Sequence, residues 1–171
     1  MRALSPSRLA GIAAGALAVR LAVVAVTPGY RPLHDDASYA RVAGSLLIFG
    51  RYPRHHLPTG GWQAGAYRPP GWPGVLWATW RVTGRSVLAG RLVEAVIGAA
   101  AAVLVAVVAT QLFDPRTGLA AGLLAAFSPL ALAVGASLES ETLFTALVLG
   151  AAAAALAARD RTQLRLSLIH I

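Results

Sequence analysis

The nineteen residues from Leu9 to Thr27, LAGIAAGALAVRLAVVAVT, decide the class of this protein, because only Arg20 interrupts their apolar run. As a helix they reach about 28 Å, close to the thickness of the bilayer's hydrocarbon core. Arg2 and Arg8 precede them, which sets the N-terminus in the cytoplasm. A cleaved signal peptide is the competing reading. Its apolar region is normally shorter and carries no arginine in its second half. Arg20 lies within two turns of the outer end, where it is expected to snorkel or to meet an acid from the following loop.

The rest of the chain agrees with a membrane class. Hydrophobic residues make up 57% and charged residues 13% of the 171, and the mean hydropathy is +0.63. An ordinary soluble domain carries about 25% charged residues, so disordered and coiled-coil classes are excluded. The net charge of +8 comes entirely from arginine, gathered near the ends and between apolar runs. That pattern suits membrane orientation and not a nucleic-acid face. With no cysteine, disulfides, zinc-thiolate sites and thiol chemistry are excluded as well.

Three further spans are expected, over 92–113, 117–137 and 142–158, with Pro129 kinking the second of these. The fold class is therefore all-α, with about four transmembrane helices and a long first outer loop at 28–91. The Ala-rich stretches 99–102 and 151–155 read as close helix packing in lipid. Within the loop, Trp72 to Trp80 is apolar but reaches only about 14 Å as a helix. Its three tryptophans mark headgroup level, so it reads as an interfacial helix. A crossing there would move Glu139 and Glu141 to the cytoplasm, and Arg81, Arg85 and Arg91 favour that alternative, so both topologies stay open.

Seven acids are available for chemistry. Asp114 and Asp160 stand beside arginines in cytoplasmic links. Glu94 follows Arg91 by three residues, a spacing that permits a helical ion pair. With Trp72–Trp80 lying at the surface, the other four form two pairs on one membrane face: Asp35 and Asp36 past the first span, Glu139 and Glu141 before the last. Carboxylates so placed can serve as a general base or hold a divalent cation, or Asp35 and Asp36 can cap the helix beginning near Ala37. Asp35, Glu141, His55 and His56 are the candidate ligands for such a cation. Arg68, in Tyr67-Arg68-Pro69-Pro70-Gly71-Trp72-Pro73, is held by its prolines at headgroup height. There it can fork onto a lipid phosphate or simply anchor the loop.

The order of these elements resembles a family. One span is followed by Asp35-Asp36 with Tyr39, then by Gly50-Arg51-Tyr52, then by Tyr67 to Pro73, and then by Ser128-Pro129 with Ser140-Glu141-Thr142-Leu143-Phe144. From about Leu9 to Ala158 this is similar to the N-terminal part of GT-C membrane glycosyltransferases of the family-39 type. That type includes protein O-mannosyltransferases and the aminoarabinose transferase of lipid A. The resemblance implies inverting transfer of a sugar from a polyprenyl-phosphate donor to a lipid, glycan or protein acceptor on the extracytoplasmic face. It also implies a multi-pass protein in a bacterial-type plasma membrane, contacting membrane lipids and no nucleic acid.

The resemblance assigns roles too. Asp35 matches the loop acid that takes the acceptor's proton, with Asp36 where the family usually has Glu. Glu141 matches an acid of the second outer loop. Arg68, with Tyr67 and Tyr39, falls where substrate is bound. Family members have many more spans, so residues 1–165 are expected to be the N-terminal part of a longer enzyme, inactive by itself. Leu166-Ser167-Leu168-Ile169-His170-Ile171 reads as a non-native tail like a translated sequencing adapter. A transporter, with the acids as its ion site, is the rival class. Transporters place such groups at the bilayer midplane in broken helices, whereas these stand at span ends. A non-catalytic membrane subunit is the third possibility.

Overall fold

The computed structural model describes residues 3–56, 62–64 and 68–169, with backbone alone for 55–56, 62–64 and 160–169. In chain order the elements are α1 (Pro6–Val26), α2 (Asp35–Phe49), β1 (Arg54–His56), β2 (Trp62–Ala64), α3 (Gly71–Thr83), α4 (Val87–Leu112), α5 (Pro115–Phe127), α6 (Pro129–Val134) and α7 (Glu141–Ile169). The expected all-α polytopic fold is what forms. The β structure among the described residues is one antiparallel ribbon pairing Arg54 with Ala64 and His56 with Trp62.

Among the described residues three helices are long and apolar enough to cross a membrane: α1, α4 and, within α7, Glu141–Arg159. α4 starts five residues before the expected span and reaches about 39 Å. The stretch expected as a single span over 117–137 is two helices. Ser128 takes an extended conformation and Pro129 opens α6, because proline has no N–H to continue the α5 ladder. The Ser128 hydroxyl instead caps α6, accepting from the Ala131 amide at 3.4 Å. At the start of α5, Asp114 Oδ1 accepts from the amides of Arg116 and Thr117 at 2.7 and 3.1 Å, which stops α4 and turns the chain within two residues.

Small residues seat α1, α4 and α5 against one another. Ile12, Ala16, Ala99, Ala102, Ala106 and Ala126 form their common core. The backbones approach so closely that a methyl group on Gly118 would fall 1.9 Å from Thr110 Oγ1 and 2.7 Å from the Ala106 carbonyl oxygen. In lipid, where burial of apolar surface supplies no drive between helices, this close contact is what holds them.

Arg20 contradicts its expectation. It neither snorkels nor meets an acid of the next loop, but lies inside the bundle at 2% exposure. Its Nη1 donates to the carbonyls of Ala16 and Ala126 at 3.0 and 3.2 Å. The open end of α5 at Ser128 leaves the Ala126 carbonyl free of the helix ladder, and Gly98 gives the guanidinium room.

A second core sits under the long loop. Tyr39 and Ala43 of α2, Trp72, Leu76 and Trp80 of α3, and Leu138 pack together. α3 has 13 residues, about 20 Å, and is too short to span. Its tryptophans are tied down by hydrogen bonds, Trp72 Nε1 to the Leu138 carbonyl and Trp80 Nε1 to that of Ser86, both at 2.8 Å. Of the three tryptophans expected at headgroup level, Trp77 alone stays exposed and two serve as core.

Candidate active site

The first turn of α2 carries most of the site. His34 precedes the helix, and Asp35 and Asp36 occupy its first turn, where the positive end of the helix dipole favours carboxylates. The two acids divide the work. Asp36 is buried, and its Oδ1 accepts from the backbone amides of Leu33, His34 and Ala37 at 3.0, 2.8 and 2.8 Å. Its Oδ2 accepts a short hydrogen bond from the Tyr30 hydroxyl. Burial alone would raise the Asp36 carboxyl, but these four donors, Tyr30 foremost, hold it below the usual carboxylate range. Tyr30 is pushed well above the ordinary phenol range by burial and by the Asp36 bond. Asp36 therefore folds the incoming loop back onto the helix, a wider role than the capping expected of it.

Asp35 faces solvent, its side chain 59% exposed, and forms an ion pair with Arg68. Two guanidinium nitrogens reach the two carboxylate oxygens, Nη1 to Oδ2 at 3.1 Å and Nη2 to Oδ1. The third, Nε, donates to Ser38 Oγ at 2.6 Å, and the guanidinium carbon sits 4.7 Å from the Tyr39 ring centre. Proline at 69 and 70 brings Arg68 to this point, 33 residues along the chain from Asp35. Tyr39 is held from below by a 2.7 Å hydrogen bond with Ser140 Oγ.

That last contact joins α2 to the turn between α6 and α7, as does Tyr30, whose hydroxyl accepts from the Leu138 amide at 3.3 Å. Of the two acids in that turn, Glu139 is the one that feels the α2 carboxylates. Burial first, then the charges of Glu141, Asp36 and Asp35, raise its carboxyl above the ordinary value, with Arg68 pulling the other way. Glu141 opens α7 and lines a different cavity of about 360 Å³, together with Arg20, Ser128, Thr142 and Thr145. The structure thus gathers Asp35, Asp36, Tyr39, Arg68 and Glu139, and sets Glu141 apart on the bundle side.

Beneath the site, Arg91 does not pair with Glu94 as their spacing allows. Its Nε donates to the Ala136 carbonyl at 2.5 Å, and Nη1 and Nη2 reach the Thr27 carbonyl and hydroxyl at 3.0 and 2.5 Å. Its guanidinium also covers the Tyr30 ring at 4.5 Å. Three helix ends are tied together in this way, which outweighs one exchange with a neighbour on the same helix. Glu94 is fully buried, and neither carboxylate oxygen has a hydrogen bond of ordinary geometry among the described residues. The Thr142 hydroxyl and the Glu139 amide face it.

Among the described residues no three His, Cys, Asp or Glu side chains gather as a metal centre. Of the four candidate cation ligands, Asp35 is engaged by Arg68 and Glu141 lies in the other cavity. The side chains of His55 and His56, and all of Tyr67, are outside the described residues. The sequence assigned no role to Tyr30, Ser38 or Ser140. A tyrosine six residues ahead of an acid in a Gly- and Pro-rich loop carried no periodic signal.

No curated protein and no solved structure matches the chain. The family described as dolichyl-phosphate-mannose-protein mannosyltransferase matches residues 67–170. The matched region takes in Arg68, α3, α4 and the α6–α7 turn, and it begins after Asp35 and Asp36. Those two acids are joined to it by the Asp35–Arg68 pair, by Tyr39 on Ser140 and by Tyr30 on the Leu138 amide. With more than half of its residues matched, the chain belongs to the dolichyl-phosphate-mannose-protein mannosyltransferase family of membrane glycosyltransferases.

Proposed function

We propose that this protein transfers a sugar, with inversion, from a polyprenyl-phosphate donor such as dolichyl-phosphate-mannose to an acceptor hydroxyl on the extracytoplasmic face, with Asp35 as general base. The observation that carries the reading is the Asp35–Arg68 fork, an exposed carboxylate and a guanidinium in one bidentate contact. A guanidinium fork fits a phosphate as well as a carboxylate. When the donor's phosphate takes Arg68, Asp35 is released to accept the acceptor's proton. The acceptor oxygen then bonds to the sugar's anomeric carbon, and the bond from that carbon to the phosphate oxygen breaks. The lipid phosphate leaves with its charge met by Arg68, so one base and one cation are enough. Glu139 stands behind the pair as a second carboxylate. Asp36 and Tyr30 hold the turn in place and take no proton.

The test is Asp35→Asn in the complete enzyme, reconstituted in membranes and assayed with a labelled polyprenyl-phosphate sugar. Asp35 is exposed, so folding should be unaffected, and transfer should drop by about 10²- to 10⁴-fold. Undiminished transfer removes Asp35 as the base. A transport reading draws on the broken α5–α6 pair and the buried Glu94. Solute uptake by vesicles carrying Asp35→Asn, without sugar transfer in the parent protein, would favour it.

A further inference from the structure

A cavity of about 670 Å³ lies at the far end of α2 from the candidate active site and is lined by four arginines, 41, 51, 54 and 85. The fold converges them deliberately. Arg41, Gly44, Ser45 and Ile48 share one face of α2, at helical spacing. Gly50 ends the helix in a left-handed conformation (φ 65°) that turns the chain back. Ser45 Oγ then donates to the Arg51 carbonyl at 2.7 Å and ties the turn to the helix, bringing Arg51 and Arg54 over it. Arg85 reaches in from beyond α3, and the bare Gly44 gives it a seat, since a methyl group there would lie 3.1 Å from its Nη2.

Among the described residues none of the four makes an ion pair; Arg68–Asp35 is the pair that forms. The carbonyl end of α2 attracts one cation, which does not account for four. Tyr52 lines the same cavity, and its hydroxyl is buried with no partner among the described residues. Burial pushes that hydroxyl up, so it remains a donor. The rim is apolar: Ile48 and Phe49 are 60% and 65% exposed. Arg85 stands two residues before Val87, where α4 begins its apolar run, so the cavity lies beside one end of a helix long enough to cross a membrane. Eight of the fifteen arginines fall between Pro28 and Arg91, against two acids there, an excess that orientation by basic residues does not call for on an outer loop.

We propose that the Arg41–Arg51–Arg54–Arg85 cavity is a headgroup site for an anionic phospholipid, separate from the Asp35–Arg68 site, which docks the long loop on the bilayer surface. Guanidinium forks and the Tyr52 hydroxyl would meet the phosphate oxygens, with Ile48 and Phe49 against the upper acyl chains. A zwitterionic lipid brings its own cation into the cavity and is disfavoured there.

The test is native mass spectrometry of the purified protein titrated with phosphatidylglycerol or phosphatidylcholine. The parent protein should retain phosphatidylglycerol preferentially. All four arginines are exposed, so Arg51→Gln/Arg54→Gln should fold normally and lose that preference by at least about tenfold. Arg81→Gln, an exposed arginine outside the cavity, should keep it. An equal loss in Arg81→Gln would show a net-charge effect and overturn the site. Equal retention of both lipids by the parent protein would also overturn it. Two competitors distinguish the sources of phosphate. Displacement of the phospholipid by millimolar inorganic phosphate makes this a free-anion site. Displacement by a short-chain polyprenyl phosphate makes it part of the donor site. Either result rejects a separate phospholipid site.

Discussion

Asp36 and Tyr30 show how much one buried carboxylate can organise. Four donors converge on Asp36, and through Tyr30 the same network reaches the Leu138 amide a hundred residues on. Asp36→Ala should therefore cost about 3 kcal/mol or more, since hydrogen bonds to a buried charge are lost together. Thermal unfolding followed by tryptophan fluorescence checks this, and an unchanged Tm would mean the loop holds without its carboxylate. The pH dependence has a definite sign. Because the folded value of Asp36 is depressed, its stabilisation is complete above its unfolded value of about 4 and is lost as pH falls through the folded value. The parent protein should lose stability in that acid window and Asp36→Ala should show a smaller loss there. Asp35, one residue earlier, is free of this duty, which is why its substitution reads out chemistry and not folding.

Among the elements, the α4–α5 hairpin is the tightest contact in the bundle. Gly118 packs so near Thr110 and the Ala106 carbonyl that backbone, and not only a mobile side chain, stands in the way of a methyl group. Gly118→Ala should destabilise the protein by about 1–3 kcal/mol despite alanine's better helix propensity. Gly11 lies in α1 with nothing within 4 Å of an added methyl, so Gly11→Ala should be neutral or slightly stabilising. Heat-induced aggregation in detergent compares the two, and equal effects would contradict close packing as the source of stability. The break between α5 and α6 belongs to this scale as well. Pro129 was readable as a kink. That the freed Ala126 carbonyl would capture Arg20 from α1 was not, because the contact spans 106 residues.

For the whole molecule the open quantity is orientation, and the absence of cysteine makes it measurable without first removing native thiols. Single cysteines at Gly29, Thr83 and Arg116 would report the loop after α1, the end of α3 and the α4–α5 link. With the N-terminus inside and α3 lying at the surface, an impermeant maleimide should label Gly29→Cys and Thr83→Cys in intact cells. Arg116→Cys should be labelled only after permeabilisation. Labelling of Thr83→Cys on the side opposite Gly29→Cys would make α3 a crossing after all. The eight arginines of the long loop lean against the proposed orientation, and a phosphate-binding role accounts for four of them, Arg85 included.

Apolar runs as long as a bilayer is thick, interrupted by a few arginines, were enough to determine a polytopic helical protein, because in lipid a helix must satisfy its own backbone hydrogen bonds. The rarity of acids was enough to mark Asp35, Asp36, Glu139 and Glu141, and the prolines around Arg68 to mark the loop. Tertiary structure decided which of these act together. It buried Asp36 and left Asp35 exposed, set Glu139 within the electrostatic reach of Arg68 and Glu141 on a cavity that Arg20 also lines, and drew Arg91 away from Glu94. Neighbouring residues of one type look alike along a chain. What separates them is which side of a helix each takes and which distant donors that side meets, and only packing sets that.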